Sequence, residues 1–291
     1  MSFRIPIFMA LLLGAFAFAS EAVASELIAR NATGVHLQIS PNGQNALLSY
    51  RANGRAWYVL AGGAANARPP AAGRKQVSFR LRRSTTPPTF KGSCKRLNAP
   101  VPKLVTACTA GKSSWAVQSW QRALPNFGLK PSSLRAQPEL RLSHWSGPTA
   151  LLTMKADWSY GGKWQHVYGN LTYRGKPVYG FGSSRLGVPS DSFGRNIYLD
   201  TIGSDYGQGW HRENSFLTHN PWGTFCYDLS PHRGQLTGEG LAYRAMVIGP
   251  GVTPDVGAYV STPGLYDPAR DLAANQEQAS LAPGDRFCRP N

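Results

Sequence analysis

The sequence predicts an all-β protein, a β-sandwich or jelly roll of antiparallel meanders with one short C-terminal helix. Short segments with an apolar residue at every second position recur along the chain, as in half-buried strands. Turn residues separate these segments at the spacing typical of sandwiches. Only 16% of the 291 residues are charged, below the share typical of globular domains, and this composition excludes a coiled coil or a disordered polyampholyte.

The first clear element is a hairpin around Asn53-Gly54, a dipeptide that favours a tight turn between paired strands. Residues 76–82 alternate with period two, which puts the apolar positions 77, 79 and 81 on one face and Arg80 and Arg82 on the other. The predicted strands are Asn45–Tyr50, Arg55–Ala61, Gln76–Arg82, Ser113–Trp120, Glu139–Trp145, Ala150–Tyr160, Lys163–Tyr173, Lys176–Phe181, Asn196–Ile202, Ser215–His219, Gly223–Leu229 and Gly240–Ile248.

One helix is predicted, with Asp267 as its N-cap, Pro268 as its first residue and Leu281 near its end. The longest irregular segment, Leu124–Pro138, is a candidate boundary between two lobes. We therefore expect a basic β-rich lobe over residues 25–138 and a neutral, aromatic-rich lobe over residues 139–291, and the two can also form one continuous domain.

The N-terminal residues predict export. A basic start, an apolar run from Ile5 to Ala19 and the small residues of Ala22-Val23-Ala24 are typical of a signal peptide over residues 1–24, cleaved before Ser25. The run of about 15 residues is shorter than the ~20 that span a bilayer. We expect a secreted, extracellular protein with no transmembrane segment after signal cleavage.

The four cysteines fit the same compartment, because exported chains commonly pair an even number of them. Three pairings are open, and sequence proximity favours Cys94 with Cys108 and Cys226 with Cys288. No Cys or His spacing is typical of a zinc site. We predict two disulfides, no metal and no cofactor.

The net charge of +16 lies in one part of the chain. Residues 51–142 contain 17 Lys and Arg and one acid, whereas residues 143–291 contain equal numbers of each sign. Arg80, Arg82 and Arg83 form the densest group and are the predicted anion-binding residues. Because an exported protein meets cell-surface polymers first, we expect an anionic cell-wall polymer or an acidic polysaccharide as partner and no specific nucleic acid.

Catalytic motifs such as GxSxG, HExxH and the phosphate loop are absent. Alternation would direct His211 and Glu213 the same way, as metal ligands require, but a hydrogen-bonded strand pair is the commoner outcome. His144, His166 and Asp200 are also suited to proton transfer. With His211 and Glu213 they make up the five candidate catalytic residues.

A carbohydrate-active enzyme is the alternative, with its site in residues 139–228. Aromatic rings stack on sugars, and the candidates are Trp158, Trp164, Trp210 and Trp222, although core packing is the commoner role for each. Glycoside hydrolases need two carboxylates across a cleft. Glu139-Leu140-Arg141 and Gln165-His166-Val167 are similar to two strand motifs of jelly-roll alginate lyases, whose third motif has no match here.

Six blocks of the sequence stand out together: Trp120–Gly128, Glu139–Trp145, Arg212–His219, Phe225–Tyr227, Ala242–Arg244 and Ile248–Asp255. With these blocks the chain resembles a group of uncharacterised secreted proteins of high-GC Gram-positive bacteria. The resemblance covers most of the chain after the signal segment and implies an exported protein without an assigned activity. We therefore expect a binding or structural protein of the cell envelope or exterior that contacts anionic polymers through an Arg-rich face.

Overall fold

The computed structural model describes residues 25–69, 76–122, 137–178, 196–204, 206, 208–217, 222–229, 242–285 and 288. Within these residues the chain forms seventeen strands and one α-helix. The elements are β1 (Glu26–Arg30), β2 (Thr33–Ile39), β3 (Asn45–Ala52), β4 (Arg55–Gly62), β5 (Arg80–Ser84), β6 (Lys95–Arg96), β7 (Leu104–Ala110), β8 (Ser113–Trp120), β9 (Glu139–Trp145), β10 (Ala150–Ser159), β11 (Trp164–Tyr173), β12 (Lys176–Pro177), β13 (Asn196–Ile202), β14 (Trp210–Leu217), β15 (Thr224–Leu229), β16 (Ala242–Val247), β17 (Val256–Ser261) and α1 (Pro268–Leu281).

Two antiparallel sheets face each other across the first core. Sheet I has the strand order β1-β9-β8-β7-β6, and sheet II has the order β2-β3-β4-β5. Their inward side chains form one buried cluster that includes Leu48 and Val59 of sheet II and Trp115 and Leu142 of sheet I. Phe79, which immediately precedes β5, stacks on Trp115 at a centroid distance of 5.4 Å. The two sheets therefore form a sandwich closed by an aromatic contact.

A second pair of sheets has its own core. Sheet III is ordered β10-β11-β12 with β15 also paired to β11, and sheet IV is ordered β14-β13-β16-β17. Val167 and Leu171 of sheet III share a buried cluster with Leu199 and Val247 of sheet IV. The predicted fold class, an all-β sandwich-like protein with one short helix, is confirmed.

The predicted hairpin is confirmed in register and turn. β3 and β4 pair from Asn45 and Gly62 to Ala52 and Arg55. The turn residues Asn53 and Gly54 have φ values of 51° and 73°, a left-handed conformation that glycine and asparagine adopt at low cost. The alternation of residues 76–82 is also confirmed, because Phe79 is buried while Arg80 and Arg82 are exposed.

Some strand limits differ from the prediction. β5 begins at Arg80 because it pairs only with residues 58–62 of β4, and β14 begins at Trp210, where it still pairs with Ile202. The sequence analysis does not predict β1, β2, β6, β7 or β17. The signal segment, residues 123–136, the predicted strand ends at Phe181 and His219, and the predicted strand start at Gly240 lie outside the described residues.

Helix α1 is confirmed from cap to end. The Asp267 side chain accepts hydrogen bonds from the backbone N–H groups of Ala269 and Arg270. The face that packs on sheet III is polar apart from Ala274, with Asp271, Asn275 and Gln278 buried. The helix is therefore docked with little apolar contact.

The predicted pairing of all four cysteines is confirmed. Cys94–Cys108 joins the segment before β6 to β7, and Cys226–Cys288 joins β15 to the segment after α1. Two disulfides are typical of an oxidising compartment such as the cell exterior. In the described part of the chain, α1 is too short and too polar to cross a membrane.

A buried ionic cluster lies where the two sandwiches meet. Arg141 of β9 is fully buried and pairs with Glu139 at 2.9 Å and with Asp255, which immediately precedes β17, at 3.3 Å. The Arg141 guanidinium also donates to the Oγ and carbonyl oxygen of Ser25. β9 pairs with β1 and β8 in sheet I, although it belongs to the second of the two predicted lobes. The division into lobes at residue 138 stays a prediction.

Candidate functional site

The outer face of sheet II presents arginines on two of its strands. Pairing with β4 places Arg80 beside Gly62 and Arg82 beside Leu60 on the edge strand β5. Arg51 of β3 lies on the same face, because its neighbours Tyr50 and Ala52 are buried in the core and side chains alternate along a strand. We call the surface that carries Arg51, Arg80 and Arg82 the basic face. Arg51 is not among the predicted binding residues, although the alternation of buried and exposed residues along β3 indicates that it faces solvent.

The charge of the basic face is uncompensated. All three arginines are exposed, and among the described residues none of them forms an ion pair or hydrogen bond. Residues 27–138 contain no Asp or Glu. Tyr58, half-buried, lies on this face between Ser49 and Ser84. Such a surface attracts polyanions, and the attraction weakens as salt screens it.

Arg83, the third predicted arginine, lies on the opposite side of β5. Its Nη1 donates to the carbonyl of Ile28 at 2.7 Å and its Nη2 to that of Leu27 at 3.4 Å. Beside it, a cleft of about 550 Å³ is lined in part by Arg30 and Trp57. Arg83 therefore connects β5 to β1 across the sandwich and does not extend the basic face.

His144 is buried in the first sandwich. Its ring stacks on Trp115 at a centroid distance of 3.9 Å. Its Nδ1 donates to the carbonyl of Ala64 at 2.5 Å, and its Nε2 is 3.2 Å from the Ser113 hydroxyl. Burial lowers the pKa of the imidazole, and the hydrogen bond to Ala64 offsets only part of this effect. His144 is therefore a neutral core residue.

The low pKa of His144 predicts acid destabilisation. The unfolded chain takes up the proton first as the pH falls below about 6.5, so stability that is complete above this pH is lost below it. We expect the His144→Gln variant to lose this component, which is worth up to about 1.4 kcal/mol per pH unit. Urea unfolding of both proteins between neutral and mildly acidic pH measures it. Equal pH slopes would contradict the prediction.

His166 lies under α1 on sheet III. Its Nδ1 is 2.7 Å from the Asp228 carboxylate, which also accepts from Ser159 at 2.7 Å. Burial raises the pKa of Asp228, but the contacts with His166 and Ser159 outweigh this and the net shift is downward. The Nε2 of His166 is buried without a hydrogen-bond partner among the described residues. This atom therefore has no open path to a substrate.

The other three candidates belong to sheet IV. Asp200 accepts from the Nε atoms of Arg212 and Arg244 at 2.5 and 2.8 Å. His211 Nε2 contacts the Gln208 carbonyl at 2.8 Å. Glu213 is buried at the register shift between β13 and β14. The five candidates therefore do not form one site. His144 and His166 each have their own surroundings, and only Asp200, His211 and Glu213 lie on neighbouring strands.

A metal site does not form from these groups in the part of the chain that the structure describes, where no three His, Cys, Asp or Glu side chains converge. Glu213 contributes instead to the pKa of Tyr243, which burial raises first and the Glu213 carboxylate raises further. Glu213 Oε2 accepts from the Thr201 hydroxyl at 3.5 Å, so His211 and Glu213 each contact a neighbouring group of the fold.

The four predicted tryptophans have different roles. Trp158 is 1% exposed and its Nε1 donates to the carbonyl of Gly264, so it offers no ring face to a ligand. Trp164 and Trp222 are each 43% exposed, on different strands or turns of the second sandwich. Trp210 stacks under the Arg244 guanidinium at 4.4 Å. They do not assemble into one aromatic platform.

The described geometry thus contains one extended basic surface and dispersed acid–base groups. Asp200 is a predicted candidate, but its partners Arg212 and Arg244 are not, because these contacts join different strands of sheet IV. Comparison of the chain with family models, with curated proteins and with solved structures returned no match.

Proposed function

We propose that this chain is a secreted binding or structural protein of the cell envelope or exterior, and that the basic face binds an anionic polymer. The observation that carries the proposal is the set of exposed, uncompensated guanidinium groups of Arg51, Arg80 and Arg82 on one sheet surface. Guanidinium groups pair well with phosphate and carboxylate. The two disulfides support a location outside the cytoplasm.

The spacing of the cations on the basic face fits a chain-like ligand. Arg80 and Arg82 are two positions apart on β5, which is about 6.5 Å in an extended strand. The half-buried Tyr58 of β4 lies on the diagonal from Arg82 to Arg51, because Arg82 pairs with Leu60 and Arg51 pairs with Ala56. A polymer crossing the strands diagonally would contact a cation at each end and the Tyr58 ring between them.

Retention on purified anionic cell wall at increasing NaCl tests the proposal. The triple variant Arg51→Gln, Arg80→Gln, Arg82→Gln is expected to bind roughly a hundredfold more weakly at low salt, from about 1 kcal/mol for each cation at an anionic surface. The unchanged protein should elute as NaCl rises, because salt screens exposed charges.

A matched control separates the basic face from net charge. Lys163→Gln, Arg174→Gln, Lys176→Gln removes three exposed charges from sheet III and its turns, and should leave retention close to that of the unchanged protein. Equal losses in the two triple variants, or no retention at the lowest salt, would overturn the proposal.

The alternative, a polysaccharide-active enzyme, has weaker support. Retaining and inverting glycosidases need two carboxylates across one cleft. In the described residues Asp200 is held between two arginines, and Asp228 is bound to His166 and Ser159. Neither acid faces a second carboxylate across an open cleft that the structure describes.

A further inference from the structure

A cleft of about 360 Å³ lies where sheet IV meets the end of sheet I. Sheet IV supplies Asp200, Trp210 and Arg244 to its lining, and the first sandwich supplies Lys103 and Ser119. We call it the arginine cleft. Its volume is within the range of small-ligand sites, and its described lining includes no residue of the basic face.

The Arg244 guanidinium is held from two sides of the arginine cleft. Its Nε donates to Asp200 Oδ2 at 2.8 Å, and its Cζ lies 4.4 Å from the centroid of the Trp210 ring. Its Nη groups form no hydrogen bond within the described part of the chain, and 25% of the side chain is exposed. These fixed N–H groups form a fork suited to carboxylate or phosphate.

Asp200 orients a second guanidinium in the same way. Arg212 Nε donates to Asp200 Oδ1 at 2.5 Å, and its Nη2 donates to the carbonyl of Gln121 at 3.2 Å. Both oxygens of the carboxylate thus accept from arginines. Asp200 is therefore a positioning residue that fixes two cations before any ligand arrives, which lowers the ordering cost of binding.

Lys103 adds a cation from the other wall. Its φ of +55° is a left-handed conformation that is uncommon for a residue with a side chain, and such strain concentrates at functional sites. Its carbonyl accepts from the backbone N–H of Ser119 at 3.0 Å. Among the lining residues that the structure describes, Lys103, Arg212 and Arg244 are cations and Asp200 is the one carboxylate.

We propose that the arginine cleft binds the acidic group of a sugar-sized ligand, with Arg244 and Lys103 contacting the anion. The shared chemistry is a carboxylate or a phosphate ester on a polar ring, as in a uronic acid or a sugar phosphate. Ser119 and Gln121 supply polar groups for ring hydroxyls. This site is separate from the basic face and stands or fails independently of it.

Arginine Nε–H resonances of the full exported chain test the proposal by NMR. Glucuronate and a glucose phosphate ester, titrated in separate arms, should shift the Nε–H signals of Arg212 and Arg244, and the tighter ligand identifies the acidic group. Glucose at the same concentrations should shift neither signal. Arg244→Gln should weaken anion binding at least about tenfold, as loss of a charge-assisted hydrogen bond requires.

Three further variants sharpen the test. Asp200→Asn raises the net charge of the cleft but removes the carboxylate that orients both guanidinium groups. A positioning role therefore predicts weaker anion binding, where simple attraction predicts stronger binding. Arg244→Lys keeps the charge without the fork and should fall between Arg244→Gln and the unchanged protein. Lys112→Gln, an exposed lysine at the β7–β8 turn, should leave anion affinity unchanged.

Several results would overturn the proposal. These are unmoved Nε–H signals with both anions, glucose binding as tight as glucuronate, or equal weakening by Lys112→Gln and Arg244→Gln. The triple variant of the basic face should bind these anions normally, and Arg244→Gln should keep its retention on anionic cell wall, so failure of one proposal is distinguishable from failure of the other.

Discussion

Replacement of Asp255 by alanine is expected to lower the free energy of unfolding by about 3–5 kcal/mol, the cost of leaving a buried charge without its partner. The Asp255 carboxylate is fully buried and accepts from Trp120 Nε1 at 2.6 Å and from the N–H of Gly249 at 3.1 Å. It also pairs with Arg141 and accepts from the Ser25 hydroxyl. Its loss removes the shared acceptor of these donors at the junction of the two sandwiches, although Arg141 keeps its contacts with Glu139 and Ser25.

Urea unfolding at neutral pH measures this effect. Glu277→Gln is a suitable control, because Glu277 forms an ion pair with Lys155 in which both side chains are substantially exposed, and exposed pairs contribute at most about 1 kcal/mol. In a double-mutant cycle, Asp255→Ala and Arg141→Ala should be strongly non-additive. A loss for Asp255→Ala as small as that for Glu277→Gln would show that the cluster does not join the sandwiches.

The second large effect concerns Cys226–Cys288. Replacing both cysteines with serine should cost about 4 kcal/mol, because this bond closes a long loop in the unfolded chain. The sequence separation of the two cysteines is 62. The bond also holds the segment after α1 against β15. The helix itself packs on sheet III through mainly polar groups. Under it, the buried Nε2 atoms of His166 and Gln278 have no hydrogen-bond partner among the described residues.

Hydrogen exchange identifies where stability is lost in this variant. The amides of α1 should exchange much faster while those of β8 and β9 stay protected, because the helix detaches before the cores open. The control is the double serine variant of Cys94 and Cys108, with a separation of 14. It should cost about 3 kcal/mol and leave exchange in α1 unchanged. Equal exchange of α1 with and without Cys226–Cys288 would contradict the prediction.

Local patterns predicted the fold well where the determinants are local. The turn at Asn53-Gly54, the alternation before Arg82 and the capping of α1 by Asp267 each depend on a few adjacent residues, and each is confirmed. The starts of β5 and β14 were misplaced because a strand ends where its partner ends, and the partner lies elsewhere in the chain.

In the candidate sites, too, features set by adjacent residues were predicted and features set by distant partners were not. Alternation within residues 76–82 located Arg80 and Arg82 on a solvent face. It could not show that Arg141, counted in the same basic stretch, is fully buried against Asp255, because that contact joins residues 114 positions apart. The arginine cleft was missed for the same reason, since Lys103 and Arg244 line one cleft only after both sandwiches have formed.

Two of the strands that carry exposed cations, β5 and β6, are also sheet edges. β5 ends sheet II and β6 ends sheet I, and each presents exposed Arg or Lys side chains. An edge strand offers unpaired backbone groups to the strands of other molecules, and charged side chains on such an edge oppose this pairing. The same arginines and lysines therefore protect the molecule from edge-to-edge aggregation, and a polyanion that neutralised them would remove that protection.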